Sequence, residues 1–128
     1  MGGKRGGGYR QSSSSPEVFR RNIDSAAREF SFSHLDLSFG IQGRRGSIRV
    51  IYSDEPASAA RRLFSILSRG GIYGHANKPG MFRVQFDDGT HLVLRLESSS
   101  GGPALSINPG WSTRRSIMNH KIHFERKP

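Results

Sequence analysis

A chain of 128 residues has room for one hydrophobic core and not for two, and its 20 Lys and Arg against 10 Asp and Glu leave a formal charge of +10. Such a field draws polyanions, nucleic acid before anionic membrane, and does not distinguish binding from cleavage. The absence of cysteine excludes a disulfide framework and a thiolate zinc site. No run approaches the roughly 18 apolar residues of a membrane span, and the first ten residues lack the apolar core of a secretory signal. The chain as given reads as soluble.

Residues 1–15 are Gly, Ser and basic residues without apolar periodicity, so nothing there offsets the entropy of ordering. A flexible linker is expected, followed by a single domain over 16–128. Ser15 as cap and Pro16 at the first helical position open a predicted helix near 16–30, with Phe19, Ile23, Ala26, Ala27 and Phe30 at helical spacing. Leu35, Leu37, Phe39 and Ile41 alternate with Asp36, Ser38 and Gly40, and a turn at Gly43 to Gly46 leads into Ser47 to Tyr52. These predict two paired strands. Asp54, Glu55 and Pro56 open a second helix carrying Ala57, Ala60, Phe64 and Leu67, and Gly70 with Gly71 ends it.

The loop Gly74 to Gly80 leads into a hairpin. A three-residue connection Asp87, Asp88, Gly89, with Gly in the left-handed position, pairs Phe86 with Thr90, Val84 with Leu92 and Phe82 with Leu94, which keeps apolar opposite apolar. A two-residue Asp88–Gly89 turn would set Phe86 opposite His91 and mix the faces. Ser98 to Gly102 reads as a flexible bend, Pro103 to Asn108 as a short strand and Asn108 to Gly110 as a turn, with Trp111 to Asn119 unassigned. Helices ahead of a mainly antiparallel sheet make the class α+β.

Alternation also sorts the chemistry. Leu92, Leu94 and Leu96 point one way while His91, Val93, Arg95 and Glu97 point the other; Phe82, Val84 and Phe86 alternate with Arg83 and Gln85, and Ile122 and Phe124 with Lys121 and His123. Stacked in one sheet with the apolar sides together, these strands gather Arg83, Gln85, His91, Arg95, Glu97, Lys121 and His123 on one wet surface. It is an acid/base set beside fixed cations.

The stretch Leu94 to Asn108 (LRLESSSGGPALSIN), followed about a dozen residues later by Lys121-Ile-His-Phe124, resembles the end of C-terminal toxin domains of bacterial polymorphic toxins of the contact-dependent growth inhibition and Rhs types. Those domains belong to the ribonuclease fold shared by barnase, EndoU, colicin nucleases and RelE toxins, called BECR. The resemblance covers roughly residues 74–128. Family members often carry a Tyr-Arg-Pro or similar lead-in, and a Thr where this chain has Ala104, so Leu96 and Ala104 inherit no role. The resemblance implies a BECR-like fold and cofactor-free cleavage of RNA, often transfer RNA. It further implies delivery as part of a larger secreted toxin, action in the target-cell cytoplasm, and an acidic immunity protein that protects the producer.

Cleaving RNA without metal uses the neighbouring 2′-hydroxyl as nucleophile, so the protein supplies a base, an acid for the leaving 5′-oxygen and cations for the pentavalent phosphate. Histidine fits the first two roles. His123, on a strand face with Lys121 and inside the matching pattern, is the first candidate, and His75, in a Gly-bounded loop near Lys78, the second. His91 and His120 follow. Arg95 is placed to hold phosphate, with hydrogen bonds from Ser99, Ser100 and the Gly101–Gly102 backbone. Lys78, Arg83, Arg114 and Arg115 are further expected RNA contacts. Each has a plainer reading: a solvated histidine, Arg95 paired with Glu97 or Asp87, a pliable serine bend. Glu97 reads as a charge partner or a general base, His34 receives no role, and the lone Trp111 is expected to be buried rather than stacked on a base. His120 and His123, three apart on a strand, point to opposite faces and give no metal signal. The alternative function is a non-catalytic nucleic-acid-binding module using Arg5, Arg10, Arg20, Arg21, Arg44, Arg45, Arg61, Arg62, Arg114 and Arg115; a third is an interaction domain for an acidic protein.

Overall fold

The computed structural model describes residues 16–44, 48–75, 78–98, 101–118 and 120–128. The expected linker, the Ser15 cap, part of the Gly43 to Gly46 turn, and Ser99 and Ser100 fall outside them. Helix α1 spans Pro16–Ala26 and α2 Pro56–Leu67; the strands are β1 Phe32–Ser33, β2 Ser38–Phe39, β3 Ile41–Gln42, β4 Ile48–Tyr52, β5 Ile72–Gly74, β6 Met81–Gln85, β7 His91–Arg95, β8 Ala104–Asn108 and β9 His120–Glu125. Among the described residues no helix is long and apolar enough to cross a membrane.

The class is α+β. β3 to β9 form one seven-stranded sheet in the order β3-β4-β9-β8-β7-β6-β5, antiparallel throughout except for the parallel pair β4 and β9. The last strand thus lies inside the sheet, between β4 and β8. α2 packs on β7, β8 and β9, with α1 against α2. Phe19, Ile23 and Ala26 of α1 and Ala60, Leu63, Phe64, Ile66 and Leu67 of α2 meet Leu92, Leu94, Leu105, Ile107, Ile122 and Phe124 in one buried cluster. Each large apolar side chain so buried contributes about 1.5–3 kcal/mol. Ala57, read from the sequence as part of this stripe, is exposed, and Leu63 and Ile66 take the inward positions. Asn22, 5% exposed, donates from Nδ2 to the Leu67 and Arg69 carbonyls at 3.0 and 2.8 Å and so satisfies the end of α2.

The expected strand over Leu35 to Ile41 is broken. β1 and β2 form a small hairpin around a turn at 34–37, with Leu37 at φ 54° and Leu35 94% exposed. Local hydrogen bonds decide it: Asp36 N–H donates to Ser33 Oγ at 3.0 Å and Ser38 Oγ to the Asp36 carbonyl at 3.1 Å, giving the backbone an alternative to extension. The segment is then pinned by Arg49, which donates to the Phe39 and Gly40 carbonyls at 3.2 and 2.7 Å and pairs with Asp36 at 3.6 Å. Only Ile41 and Gln42 continue as sheet. Helix α1 also stops earlier than its periodicity predicts, closing in a turn to Phe30.

The β6–β7 hairpin has the predicted register. Phe82 faces Leu94, Val84 faces Leu92, Phe86 N–H donates to the Thr90 carbonyl at 2.8 Å, and Gly89 sits at φ 91°. β5 was hidden inside what read as the approach to a loop.

Candidate active site

With both helices on one side, the opposite face of the sheet is open. Ladder partners run across it in rows. One row is Val50, His123, Ala104, Arg95, Met81; the next is Ile48, Lys121, Ser106, Val93, Arg83, Gly74; the third is Asn108, His91, Gln85, Ile72. The polar residues expected on one surface do share it. Ala104 and Val93 on this face are 1% and 7% exposed, which makes them the floor beneath longer neighbours.

The face divides into two hollows. At the β7–β9 end, Lys78, Arg95, Glu97 and Lys121 line a depression of about 480 Å³. The Lys78 turn is held there by hydrogen bonds from Met81 N to the Lys78 carbonyl and from Leu96 N to the Gly80 carbonyl, at 3.3 and 2.9 Å. Three cations and one carboxylate give this hollow the chemistry to attract an anion such as phosphate rather than that of an acid/base pair. His123 lies in the same row as Arg95, separated from it by Ala104. Its pKa is pushed below the ordinary 6.5 by burial and by the Lys121 ammonium, with Glu125 pulling weakly the other way, and its Nε2 atom is buried. A ring in that setting is neutral at neutral pH and shielded from solvent at one nitrogen.

At the β5–β7 end, His75, His91, Arg83 and Gln85 line a second depression of about 330 Å³. His91 Nδ1 lies 3.3 Å from the Gly89 carbonyl oxygen. A carbonyl only accepts, so in that hydrogen bond Nδ1 carries the proton and Nε2 of the neutral ring keeps its lone pair. His75 follows directly on Gly74, whose partner across the ladder is Arg83, and it is exposed. Two imidazoles and a guanidinium therefore share one hollow. By contrast, β5 and β9 are four strand spacings apart, about 19 Å, so His75 and His123 do not reach one phosphate together.

Of the other expected site residues, His120 stands opposite Ile107 in the β8–β9 ladder, on the alternate parity from Lys121 and His123. Ser98, beside Ser99 and Ser100, donates from both its N–H and its Oγ to the Gly102 carbonyl, at 3.1 and 2.8 Å. Arg62, a phosphate contact in the binding-module reading, is committed to Glu29 through two hydrogen bonds at 3.0 and 2.7 Å. Arg114 and Arg115 are exposed. Among the described residues, no group of three His, Asp or Glu is close enough together to hold a metal ion.

Two features escaped the sequence. Trp111, expected inside, is 72% exposed; its segment buries Thr113 and Ile117 instead. The cause is Asp88, which the sequence offers only as a turn residue. Its carboxylate accepts from Ser112 Oγ at 2.7 Å, Thr113 Oγ1 at 2.6 Å and Thr90 N–H at 2.9 Å. Gly110 N–H donates to Thr90 Oγ1 at 2.9 Å, and a Cβ at Gly110 would run into the Asp88 carbonyl oxygen. Burial raises the Asp88 pKa, but the hydrogen bonds from Thr113, Thr90 and Ser112 outweigh it and hold the group at about 2. Compared with protein-family models, curated proteins and solved structures, the chain gives no match.

Proposed function

We propose that this domain is a metal-independent endoribonuclease of the polymorphic-toxin kind, acting on transfer RNA, with the open sheet face as its active surface. The observation that carries the reading is the shared hollow of His75, His91 and Arg83. One neutral imidazole accepts the 2′-hydroxyl proton as the 2′-oxygen attacks phosphorus. The other, protonated, gives its proton to the departing 5′-oxygen, and Arg83 meets the charge on the non-bridging oxygens. His91, with its Nδ1 proton given to Gly89, has the free Nε2 that a base needs, which leaves the acid to His75. Lys78, Arg95 and Lys121 then hold a neighbouring phosphate of the same strand. The net charge of +10 and the resemblance of Leu94 to Asn108 and Lys121 to Phe124 to toxin termini support the same conclusion.

The test is incubation of the purified domain with total RNA in EDTA across pH 5 to 9. Transfer RNA fragments ending in a 2′,3′-cyclic phosphate, with a bell-shaped pH dependence, are expected. Intact RNA with strong filter binding would reassign the domain as a binding module. A small acidic protein, co-expressed, should bind this face, suppress cleavage and permit growth of the producing cell, with association slowing as salt rises.

A further inference from the structure

Trp111 is the only tryptophan of the chain, and its indole stands 72% exposed on a segment that is anything but loose. Asp88 grips Ser112 and Thr113, Thr90 grips Gly110, Thr113 and Arg114 N–H groups both donate to the Gly110 carbonyl at 3.1 Å, and Ile117 is wholly buried. The turn that seats this segment, Asp88 to Thr90, is also the turn whose Gly89 carbonyl fixes the His91 ring. The indole and the imidazole are thus mounted on one rigid hairpin end.

The charge beside the ring selects the occupant. Arg114 and Arg115 are exposed in the same turn, and among the described residues the ion pairs are Arg49 with Asp36 and Arg62 with Glu29, while the Asp88 carboxylate beneath them is engaged by Ser112, Thr113 and Thr90. An exposed, preorganised aromatic flanked by guanidinium groups fits an unpaired base and its phosphate, since every base offers a π-face to stack on. We propose that Trp111 is a stacking platform for an unpaired nucleobase next to the His75–His91 hollow, with Arg114 and Arg115 on the adjoining phosphates, so that the domain selects single-stranded or loop RNA. This rests on the reading of the open face as an RNA surface and adds the structural class of RNA it takes.

The lone indole reports its own contact. A 2′-O-methyl oligoadenylate, which lacks the nucleophile and cannot be cleaved, should quench Trp fluorescence at saturation, whereas an abasic oligomer of equal phosphate number should bind without quenching. Trp111→Ala should weaken the base-bearing oligomer about tenfold and the abasic one less than twofold, and Trp111→Phe should restore most of the loss. Unchanged fluorescence at saturation, or equal affinities of wild type and Trp111→Ala for the base-bearing oligomer, overturns the proposal. So does quenching by an acidic protein alone, which would make Trp111 a protein-docking residue. Failure of the ribonuclease reading is separate: RNA then stays uncut while the base-dependent quench persists.

Discussion

The two hollows of the open face lie on the same sheet and share strand β7, yet they differ in which side chains line them and in what solvent reaches. At the β5–β7 end two histidines line an open depression with Arg83, one ring oriented by a backbone carbonyl. At the β7–β9 end the depression is lined by cations, and the nearby histidine has a buried Nε2 and a depressed pKa. Proton transfer needs an accessible nitrogen, whereas charge stabilisation needs only proximity. On the proposed reading, the contrast puts chemistry at one end and grip at the other.

The sharpest way to break that assignment is to remove imidazoles one at a time. His91→Ala and His75→Ala should each lower RNA cleavage by about 10²–10⁴ with unchanged thermal stability, while His123→Ala should cut far less into activity. If His123→Ala abolishes cleavage and the other two do not, the ends are reversed. Next in size, Arg95→Ala combined with Lys121→Ala should weaken single-strand binding about tenfold and reduce the slope of log affinity against log salt by about 1.4, near 0.7 for each lost phosphate contact. A slope unchanged from wild type would take the phosphate out of that hollow.

Stability distinguishes the ends further. Asp88→Ala strips the acceptor from Ser112, Thr113 and the Thr90 N–H, and should cost about 1–3 kcal/mol, read as a melting temperature lower by several degrees. It should also loosen His91 and lower cleavage at temperatures where the fold persists. The smallest effect is a pH dependence. With its folded pKa below 6.5, His123 binds fewer protons folded than unfolded, so its neutral form favours folding and that contribution is lost as pH falls below 6.5. The Asp88 contribution, present above about 3.8, is lost as pH falls through about 2. Melting curves of His123→Gln between pH 7 and 5 should therefore be flatter than wild type, and those of Asp88→Asn flatter only below about pH 4.

Which residues share the open face was legible because strand alternation is strict: Arg83, His91, Arg95, Lys121 and His123 follow from parity alone once the Asp87-Asp88-Gly89 turn sets the register. Strand order was not legible. Nothing in Lys121 to Phe124 says that it runs parallel to β4, or that it pairs with β8 on its other side, which is what puts His123 four strands from His75. The Leu35 to Ile41 alternation misled because side-chain hydrogen bonds of Ser33 and Ser38 act locally and leave no trace in apolar period. Trp111 misled in the opposite sense, since burial is the ordinary fate of a single Trp and the Asp88 clamp that turns it outward joins residues 24 and 25 positions apart.

The position of β9 between β4 and β8 bears on when this protein can exist as a folded object. A ribosome that has delivered everything up to Met118 has supplied both helices and both halves of the sheet, but no strand to join β3-β4 to β8-β7-β6-β5. Ile122 and Phe124, each at most 1% exposed in the finished fold, are then absent from the core. Closure waits for β9 and relies on pairing across more than seventy intervening positions, from Ile48 to Lys121, which makes folding slow for its size. A chain threaded N-terminus first through a narrow channel would likewise emerge without a closed sheet until β9 clears it.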